Sequence, residues 1–271
     1  MVEITRTFDL LDHLVEQYPK EDILAGKVNG EWVKYSSHDY YKYAHYMAYG
    51  LCEMGLKEGD RVVTMSANCP EWNFIDMGVM QAGGILLPLC KGLSAEEYVE
   101  CLQHANIRTL ILEDEEILSR FKLILPQIKT IESVFSIDPC KGIPSIADLI
   151  AESDGTDCDL LARRRNLITS DDVCTLIYSG GGTYSQLTHK MLLEEIVAMA
   201  EQQASNRKYA TGNNALCTRY GRAKCYANQM LGRTISYPTP NDDTLYIVPR
   251  DTDRQRFTDR LRALLWQRVA F

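Results

Sequence analysis

Apolar residues recur along the first 203 residues with two periodicities, one typical of helices and one typical of strands. Amphipathic helices are predicted at 8–18, 36–54, 70–83, 94–105, 115–128 and about 188–204. Short apolar strands are predicted between them at 61–66, 85–88, 108–112, 133–137 and 173–178. This alternation predicts an α/β fold, with a mostly parallel sheet that is flanked by helices on both faces.

Turn and cap residues in the first hundred positions predict a hairpin and the starts of two helices. Asn29-Gly30 lies between two short runs at 23–28 and 31–35, and this dipeptide predicts a β-hairpin. Ser36-Ser37 can cap the second helix, and Ser94 with Glu97 forms a capping-box pattern for the fourth. Residues 138–170 are predicted to be mostly connection, with one short helix near 146–151.

The pattern weakens after residue 204. Residues 206–229 are polar and irregular, while 234–237 and 244–248 are predicted to be strands. Residues 254–271 form a basic amphipathic pattern, which predicts a helix that packs on the body of the protein or lies on an acidic membrane surface. We therefore expect an α/β subdomain at 1–203 and a divergent remainder at 204–271, with a few strands and a terminal helix.

Charge and cysteine content narrow the function classes. The chain has 271 residues, 45% of them hydrophobic, and its net charge of -8 argues against a nucleic-acid binder. Residues 1–202 carry 17 Lys and Arg against 32 Asp and Glu, whereas residues 203–271 carry 12 against 5. Neither a signal peptide nor a transmembrane segment is predicted. The nine cysteines are dispersed without a CxxC pair, which favours a reducing cytoplasm with most thiols buried.

One glycine-rich segment is the candidate for anion binding. Ser179-Gly180-Gly181-Gly182-Thr183 follows the strand at 173–178 and is predicted to precede a helix. Glycines let backbone N–H groups approach a phosphate closely, and hydroxyl residues add donors. Thr188, His189 and Lys190 begin the next helix and are candidates for a place beside the same phosphate. The alternative is a plain connection, since neither the Rossmann nor the Walker glycine pattern is present.

Other polar residues give no catalytic or metal-binding assignment. Four histidines lie on predicted helices without the spacing of metal ligands: His13, His38, His45 and His104. The Arg163-Arg164-Arg165 run is interpreted as a solvated linker rather than a nucleic-acid patch.

Several short segments occur in a characteristic order: Phe8-Asp-Leu-Leu-Asp12, Gly30-Glu-Trp-Val-Lys-Tyr-Ser36, Gly55-Leu-Lys-Glu-Gly-Asp-Arg-Val62, Asn68-Cys-Pro-Glu-Trp72, Gln81-Ala-Gly-Gly84 and Ser94-Ala-Glu-Glu-Tyr98. Together they resemble the front of AMP-forming long-chain fatty-acid–CoA ligases, from about residue 5 to residue 200. The resemblance implies use of ATP and Mg²⁺, formation of an acyl-adenylate from a fatty acid with release of pyrophosphate, and transfer of the acyl group to coenzyme A.

The chain departs from the family at the phosphate loop. The family reads approximately Tyr-Thr-Ser-Gly-Thr-Thr-Gly-x-Pro-Lys-Gly-Val-x-x-Thr-His, whereas this chain reads Tyr178-Ser-Gly-Gly-Gly-Thr-Tyr-Ser-Gln-Leu-Thr-His189. The resemblance therefore implies a vestigial loop at Ser179–Thr183 that lacks the family's lysine. Tyr220-Gly221 lacks the Thr-Glu that follows in the family, and Thr211-Gly212-Asn213 lacks its aspartate. The small C-terminal domain with the catalytic lysine is expected to be absent.

These departures predict a fatty-acid ligase by ancestry whose activity is impaired or lost. A non-catalytic module remains an alternative: it would hold a nucleotide or an acyl chain, or pair with a homologue as a homo- or hetero-oligomer. A third hypothesis is that the chain is a structural remnant of such a ligase and binds no ligand. The charge boundary near residue 203 nearly coincides with the end of the resemblance, which indicates a join between a retained region and a rewritten one.

Overall fold

The structure is a computed structural model that describes residues 3–152, 158–203, 209–212 and 214–238. Its helices are α1 (Asp9–Gln17), α2 (Ser37–Glu53), α3 (Pro70–Gln81), α4 (Ala95–His104), α5 (Glu115–Phe121), α6 (Ile146–Glu152), α7 (Cys158–Leu167), α8 (His189–Gln202) and α9 (Arg219–Met230). Its strands are β1 (Leu24–Val28), β2 (Glu31–Tyr35), β3 (Arg61–Met65), β4 (Ile85–Pro88), β5 (Thr109–Leu112), β6 (Ser133–Ser136), β7 (Val173–Gly180), β8 (Thr183–Thr188), β9 (Tyr209–Thr211) and β10 (Thr234–Tyr237).

The larger sheet has six strands in the order β6-β5-β3-β4-β7-β8. All neighbouring strands in it run parallel except β8, which returns antiparallel to β7. Side chains alternate along β3 between two apolar cores, because Val62 packs into one core and Val63 into the other. The predicted α/β fold, with a mostly parallel sheet buried on both faces, is confirmed.

The smaller sheet has four strands in the order β2-β1-β10-β9. The β1–β2 hairpin forms as the Asn29-Gly30 dipeptide predicts, with positive φ values of 49° and 83° at the two turn residues. Strand β10 pairs in parallel with both β1 and β9. Strands from both sides of residue 203 therefore share this sheet, and the division into 1–203 and 204–271 stays a prediction.

Helix caps also form where the sequence places them. The Ser36 side chain accepts a hydrogen bond from the Asp39 amide at the start of α2, and Asp39 bonds back to the Ser36 amide. Ser94 and Glu97 make the same reciprocal pair at the start of α4.

The structure corrects the predicted elements at several places. The helix predicted at 115–128 ends at Phe121, and a short 3₁₀ turn follows at Leu125–Gln127. Helices α7 and α9 and strand β9 occupy stretches that the sequence predicted to be irregular. The predicted strand at 244–248 and the predicted helix at 254–271 lie outside the described residues.

The arginine run at 163–165 is not a linker, because it lies on α7. The Arg164 guanidinium donates to the Ala82 carbonyl at the end of α3, at 3.0 Å. Arg165 donates to the Asp12 carboxylate on α1, at 2.7 Å. Two of the three arginines therefore hold helices together, and the solvated-linker interpretation is wrong.

Candidate functional site

The glycine-rich segment forms the tip of a β-hairpin. Gly180 pairs with Thr183 across the turn, and Gly181 and Gly182 are its two central residues. Their φ values of 58° and 69° are both positive, as a two-residue type I′ hairpin turn requires. The expectation that the segment directly precedes a helix is wrong, because β8 intervenes before α8 begins.

The hairpin tip rests on the carboxyl end of α4. A Cβ atom built on Gly182 would lie 3.3 Å from Cγ of His104, the last residue of α4. The Tyr184 hydroxyl donates to the Cys101 carbonyl at 2.5 Å. A built Cβ on Gly180 or Gly181 meets nothing within 4 Å, so one side of the tip is open.

The tip offers few donors for an anion. In a two-residue hairpin the flanking residues exchange their backbone hydrogen bonds, so the amides of Gly180 and Thr183 serve the ladder. The Thr183 hydroxyl donates to the Gly180 carbonyl at 2.6 Å. The Gly181 and Gly182 amides and the exposed Ser179 side chain remain for a phosphate. The phosphate-binding role of Ser179–Thr183 stays a prediction.

Thr188, His189 and Lys190 lie at the other end of β8. A strand rises about 3.3 Å per residue, so about 17 Å separates Thr188 from Thr183 along β8. The Thr188 hydroxyl caps α8 by accepting from the Met191 amide at 3.2 Å, and Lys190 is exposed. The structure therefore does not bring this group together with the glycine turn.

His189 is a packed residue that is only 2% exposed. Its Nδ1 accepts a hydrogen bond from the Thr7 amide at 3.2 Å, and its ring meets the edge of Phe8. Burial disfavours the charged ring and lowers the pKa of His189 to about 4. His189 also borders a cavity of about 210 Å³ at the amino ends of β4 and β7, which is smaller than the pockets that hold drug-sized ligands, at about 300–1,000 Å³.

The carboxyl edge of the larger sheet is where α/β proteins usually bind ligands. The chain passes from β3 to β4 on one side and then back across β3 to β5, so the strand order reverses at this edge. Lys91 follows β4 and forms an ion pair there with Glu113, which follows β5. Glu113 also accepts from the Ala67 amide at 2.7 Å, so its carboxylate is already engaged.

Residues 214–218, which we call the cover segment, lie over this edge. The Asn68 side-chain amide donates to the Asn214 carbonyl at 2.8 Å, and to the Gly212 carbonyl, before this segment, at 2.5 Å. The Leu216 amide donates to the Asn68 side-chain oxygen at 3.2 Å. The Asn68 side chain therefore pairs with backbone groups of the cover segment and holds the segment at this edge.

A disulfide also joins the cover segment to the larger sheet. Cys90, just after β4, is bonded to Cys217, with the two Cα atoms 5.5 Å apart. The expectation that the cysteines are free thiols is wrong for this pair. Four of the other cysteines are buried free thiols: Cys52, Cys101, Cys174 and Cys225. No local sequence pattern indicates this pair, because 127 positions separate its members.

A buried ion pair, missed at the sequence level, joins α9 to α3. Arg222 is fully buried and donates to the Asp76 carboxylate at 2.8 Å, while Tyr226 donates to the same carboxylate. Arg222 also donates to the Thr175 hydroxyl on β7. The Asp76 carboxylate raises the pKa of Arg222 despite burial, so the guanidinium is charged, while burial raises the pKa of Asp76. The sequence signal was an arginine in a polar stretch, without a visible partner.

Two further features bear on function: clusters of metal-ligating side chains and helices that could span a membrane. Within 3–152, 158–203, 209–212 and 214–238, no group of three or more His, Cys, Asp or Glu side chains could hold a metal ion. No helix in that same part of the chain is long and apolar enough to cross a membrane.

Sequence comparisons connect the chain with ligases. The model of the AMP-binding enzyme family matches residues 11–258. The long-chain-fatty-acid–CoA ligase FadD15 of Mycobacterium bovis is 27% identical over 174 residues, covering 62% of this chain and 29% of that protein. The long-chain-fatty-acid–CoA ligase ACSBG2 of Mus musculus is 24% identical over 210 residues, covering 73% and 31%. The chain spans less than a third of the length of these relatives.

Solved structures show the same fold at low identity. A long-chain-fatty-acid–CoA ligase (FadD1) from Archaeoglobus fulgidus superposes with a TM-score of 0.74 at 14% identity, covering 87% of this chain and 47% of that one. Coronafacic acid ligase from Pectobacterium brasiliense gives a TM-score of 0.73 at 18% identity, covering 86% and 45%. Because the family model matches well over half of its residues, the chain belongs to the AMP-binding enzyme family.

Proposed function

We propose that this chain derives from a long-chain-fatty-acid–CoA ligase and that it carries out the adenylation step poorly. The relatives named long-chain-fatty-acid–CoA ligases support the reaction class, which joins a fatty acid to coenzyme A at the expense of ATP. The proposed impairment rests on the glycine turn, because Ser179–Thr183 is a tight hairpin tip that contains no lysine.

Adenylation depends on stabilising the charge that develops on the phosphates. The glycine turn offers two backbone amides and a serine hydroxyl, which is a weak donor set for a triphosphate. The turn also lies at the carboxyl end of α4, where the helix dipole presents partial negative charge. The residues at this turn do not fit ATP-Mg²⁺ well, and we assign them no catalytic step.

ATP–pyrophosphate exchange with a panel of fatty acids tests this proposal. We expect the full chain to exchange at or near the background rate. FadD15 of Mycobacterium bovis, assayed in parallel, serves as the positive control. Exchange by this chain at a rate similar to that control would overturn the proposed impairment.

A non-catalytic binding module is the second candidate. It is favoured by the retained fold: the buried Arg222–Asp76 pair and the Asn68 contacts keep the region after residue 203 packed on the ligase-like front. Calorimetry with ATP and with a non-hydrolysable acyl-adenylate analogue distinguishes the candidates. Saturable binding without exchange supports the module, and the absence of heat with both ligands rejects its ligand-holding form.

The remaining assignments also stand as proposals. ATP, Mg²⁺, coenzyme A and a fatty acid are the ligands that the family suggests for this chain. A cytoplasmic location, a weak contact with a membrane surface and assembly into an oligomer are predictions made from the sequence alone. Pull-down with an intact homologue tests the last of these.

A further inference from the structure

The Cys90–Cys217 disulfide lies where solvent reagents can reach it. Cys90 is exposed and Cys217 is partly exposed. Cys90 is the second residue after β4, and Cys217 immediately precedes Thr218, the residue that caps α9. The bond therefore joins the carboxyl edge of the larger sheet directly to the entrance of α9.

The bond is one of several contacts that hold the cover segment. The Asn68 side chain contacts the segment at Asn214 and Leu216, and the Leu216 side chain is buried in the core. Beyond the segment, α9 is held independently by the buried pair of Arg222 with Asp76. Breaking the disulfide would thus remove one fastening of the cover segment and leave α9 anchored.

We propose that Cys90 and Cys217 form a thiol–disulfide exchange site that fastens the cover segment over the carboxyl edge when oxidised and loosens it when reduced. The reductant is a small dithiol or a protein dithiol. One thiolate attacks a sulfur of the disulfide and forms a mixed disulfide, and the second thiolate displaces the remaining cysteine. The balance is one disulfide plus one dithiol giving two cysteine thiols plus the oxidised reductant.

The buried free cysteines do not compete for this exchange. Burial raises the pKa of the Cys174 thiol to about 11 and that of the Cys225 thiol to about 12, which leaves almost no reactive thiolate. Cys140 is partly exposed, but its partner is the Asp138 carbonyl rather than another thiol. Cys140 is therefore a suitable control position.

The first experiment compares the oxidised full chain with the same chain treated with dithiothreitol. Native alkylation and mass spectrometry should label Cys90 and Cys217 only after reduction. The Leu216 amide hydrogen should exchange about tenfold faster in the reduced chain, because local opening of the cover segment then breaks fewer contacts. Amides in the middle of α9 should keep their protection.

The second experiment uses variants to separate local release from unfolding. Cys90→Ser and Cys217→Ser should each show the reduced exchange pattern without dithiothreitol and should not respond to it. Cys140→Ser should respond as the unsubstituted chain does. The midpoint of thermal unfolding should fall by about 5–10 °C on reduction, since the bond closes a long loop.

Three results would overturn the proposal. The first is labelling of Cys90 and Cys217 in the air-oxidised chain, which would mean that no bond forms. The second is equal exchange of the cover segment in both redox states. The third is loss of protection throughout α9 on reduction, which would make the bond a general staple rather than a local fastening.

Discussion

The β1–β2 and β7–β8 hairpins have almost the same turn in very different surroundings. Both turns have two central residues with positive φ, 49° and 83° at Asn29-Gly30 and 58° and 69° at Gly181-Gly182. The first was predicted to be a hairpin, and the second was interpreted as a phosphate cradle. A run of glycines therefore indicates that the backbone adopts positive φ. It does not by itself indicate that the turn binds a ligand.

The two hairpins differ in how they are held. Strand β1 lies inside the smaller sheet, and Tyr35 on β2 packs against Tyr43 and Phe74 while its hydroxyl donates to Glu71 at 2.7 Å. Strand β8 is the edge of the larger sheet, and most of its residues are exposed or partly exposed. The outer strand of the first hairpin, β2, therefore belongs to a core, whereas the outer strand of the second, β8, is held mainly at Tyr184 and Leu187.

The largest expected difference comes from removing one tyrosine from each hairpin. Tyr35→Ala should lower the free energy of unfolding by about 3–5 kcal/mol, because it empties a buried aromatic site. Tyr184→Ala should cost about 1–2 kcal/mol, because the ring is partly exposed and one hydrogen bond is lost. Urea denaturation of both variants measures the difference. Equal losses would show that the two hairpins are held equally well.

Acid should destabilise the fold through the residue that follows the second hairpin. His189 has a pKa of about 4 when folded and an ordinary value of 6.5, so the unfolded chain takes up the proton first as pH falls. Stability should therefore fall between about pH 6.5 and pH 4, by about 3 kcal/mol at most. Urea denaturation at pH 7, 6 and 5 should show this slope, and His189→Gln should flatten it.

The first hairpin should respond to pH with the opposite sign. Burial raises the pKa of Glu71, which bonds to Tyr35, so its folded carboxyl takes up a proton before the unfolded one does. Its contribution to stability should thus fall as pH rises from about 4.5 through the raised pKa. Glu71→Gln should remove this loss, and a larger loss in Glu71→Gln than in the unsubstituted chain would contradict the assignment.

Valine at matched glycines should distinguish the turns by their surroundings. Gly30→Val should cost about 1–2 kcal/mol, because positive φ is unfavourable for a β-branched residue and a Cβ there meets nothing within 4 Å. Gly182→Val should cost about 2–3 kcal/mol, because its side chain must also displace the His104 ring. Thermal and urea unfolding check both values. A smaller loss for Gly182→Val would show that the tip does not rest on α4.

The smallest effect is expected for Gly181→Asn. Asparagine tolerates the left-handed region, and a Cβ at Gly181 meets open space, so the free energy of unfolding should change by less than about 0.5 kcal/mol. The first hairpin already carries asparagine at its matching turn position, Asn29. A loss above about 1 kcal/mol would show that the two turns differ in backbone conformation.

Much of the fold was predictable because its signals are local. The Asn29-Gly30 dipeptide and the Ser94–Glu97 capping box each lie within a few residues of the element that they specify. The parallel sheet followed from the alternation of apolar strands and helices. These features need no knowledge of distant contacts.

The missed elements depend on partners that are far away in the sequence. Helix α9 has polar buried residues such as Arg222 and Gln229, so it shows no apolar stripe, and their partners Asp76 and Asn73 lie on α3. Strand β8 is a polar edge strand with Leu187 as its one fully buried residue. The glycine turn was misplaced for the same reason, because its partner strand was not recognised.

The difference in charge between the regions before and after residue 203 is reflected in ion pairs between them. Arg222 pairs with Asp76, and Arg219 pairs with Glu195 on α8. Basic residues after position 203 thus meet acidic residues before it. The two regions are complementary at these contacts, whatever the history of the sequence.

Hydrogen exchange at the second turn, with and without ATP-Mg²⁺, tests the central comparison most directly. If Ser179–Thr183 is a hairpin tip like the first turn, the amides of Gly180 and Thr183 should be protected without ligand, and so should those of Val28 and Glu31, which pair across the first turn. Adding ATP-Mg²⁺ should change that protection little. Free exchange at Gly180 and Thr183 that becomes protected only with ATP-Mg²⁺ would contradict the account, because the segment would then be a phosphate loop that its ligand organises.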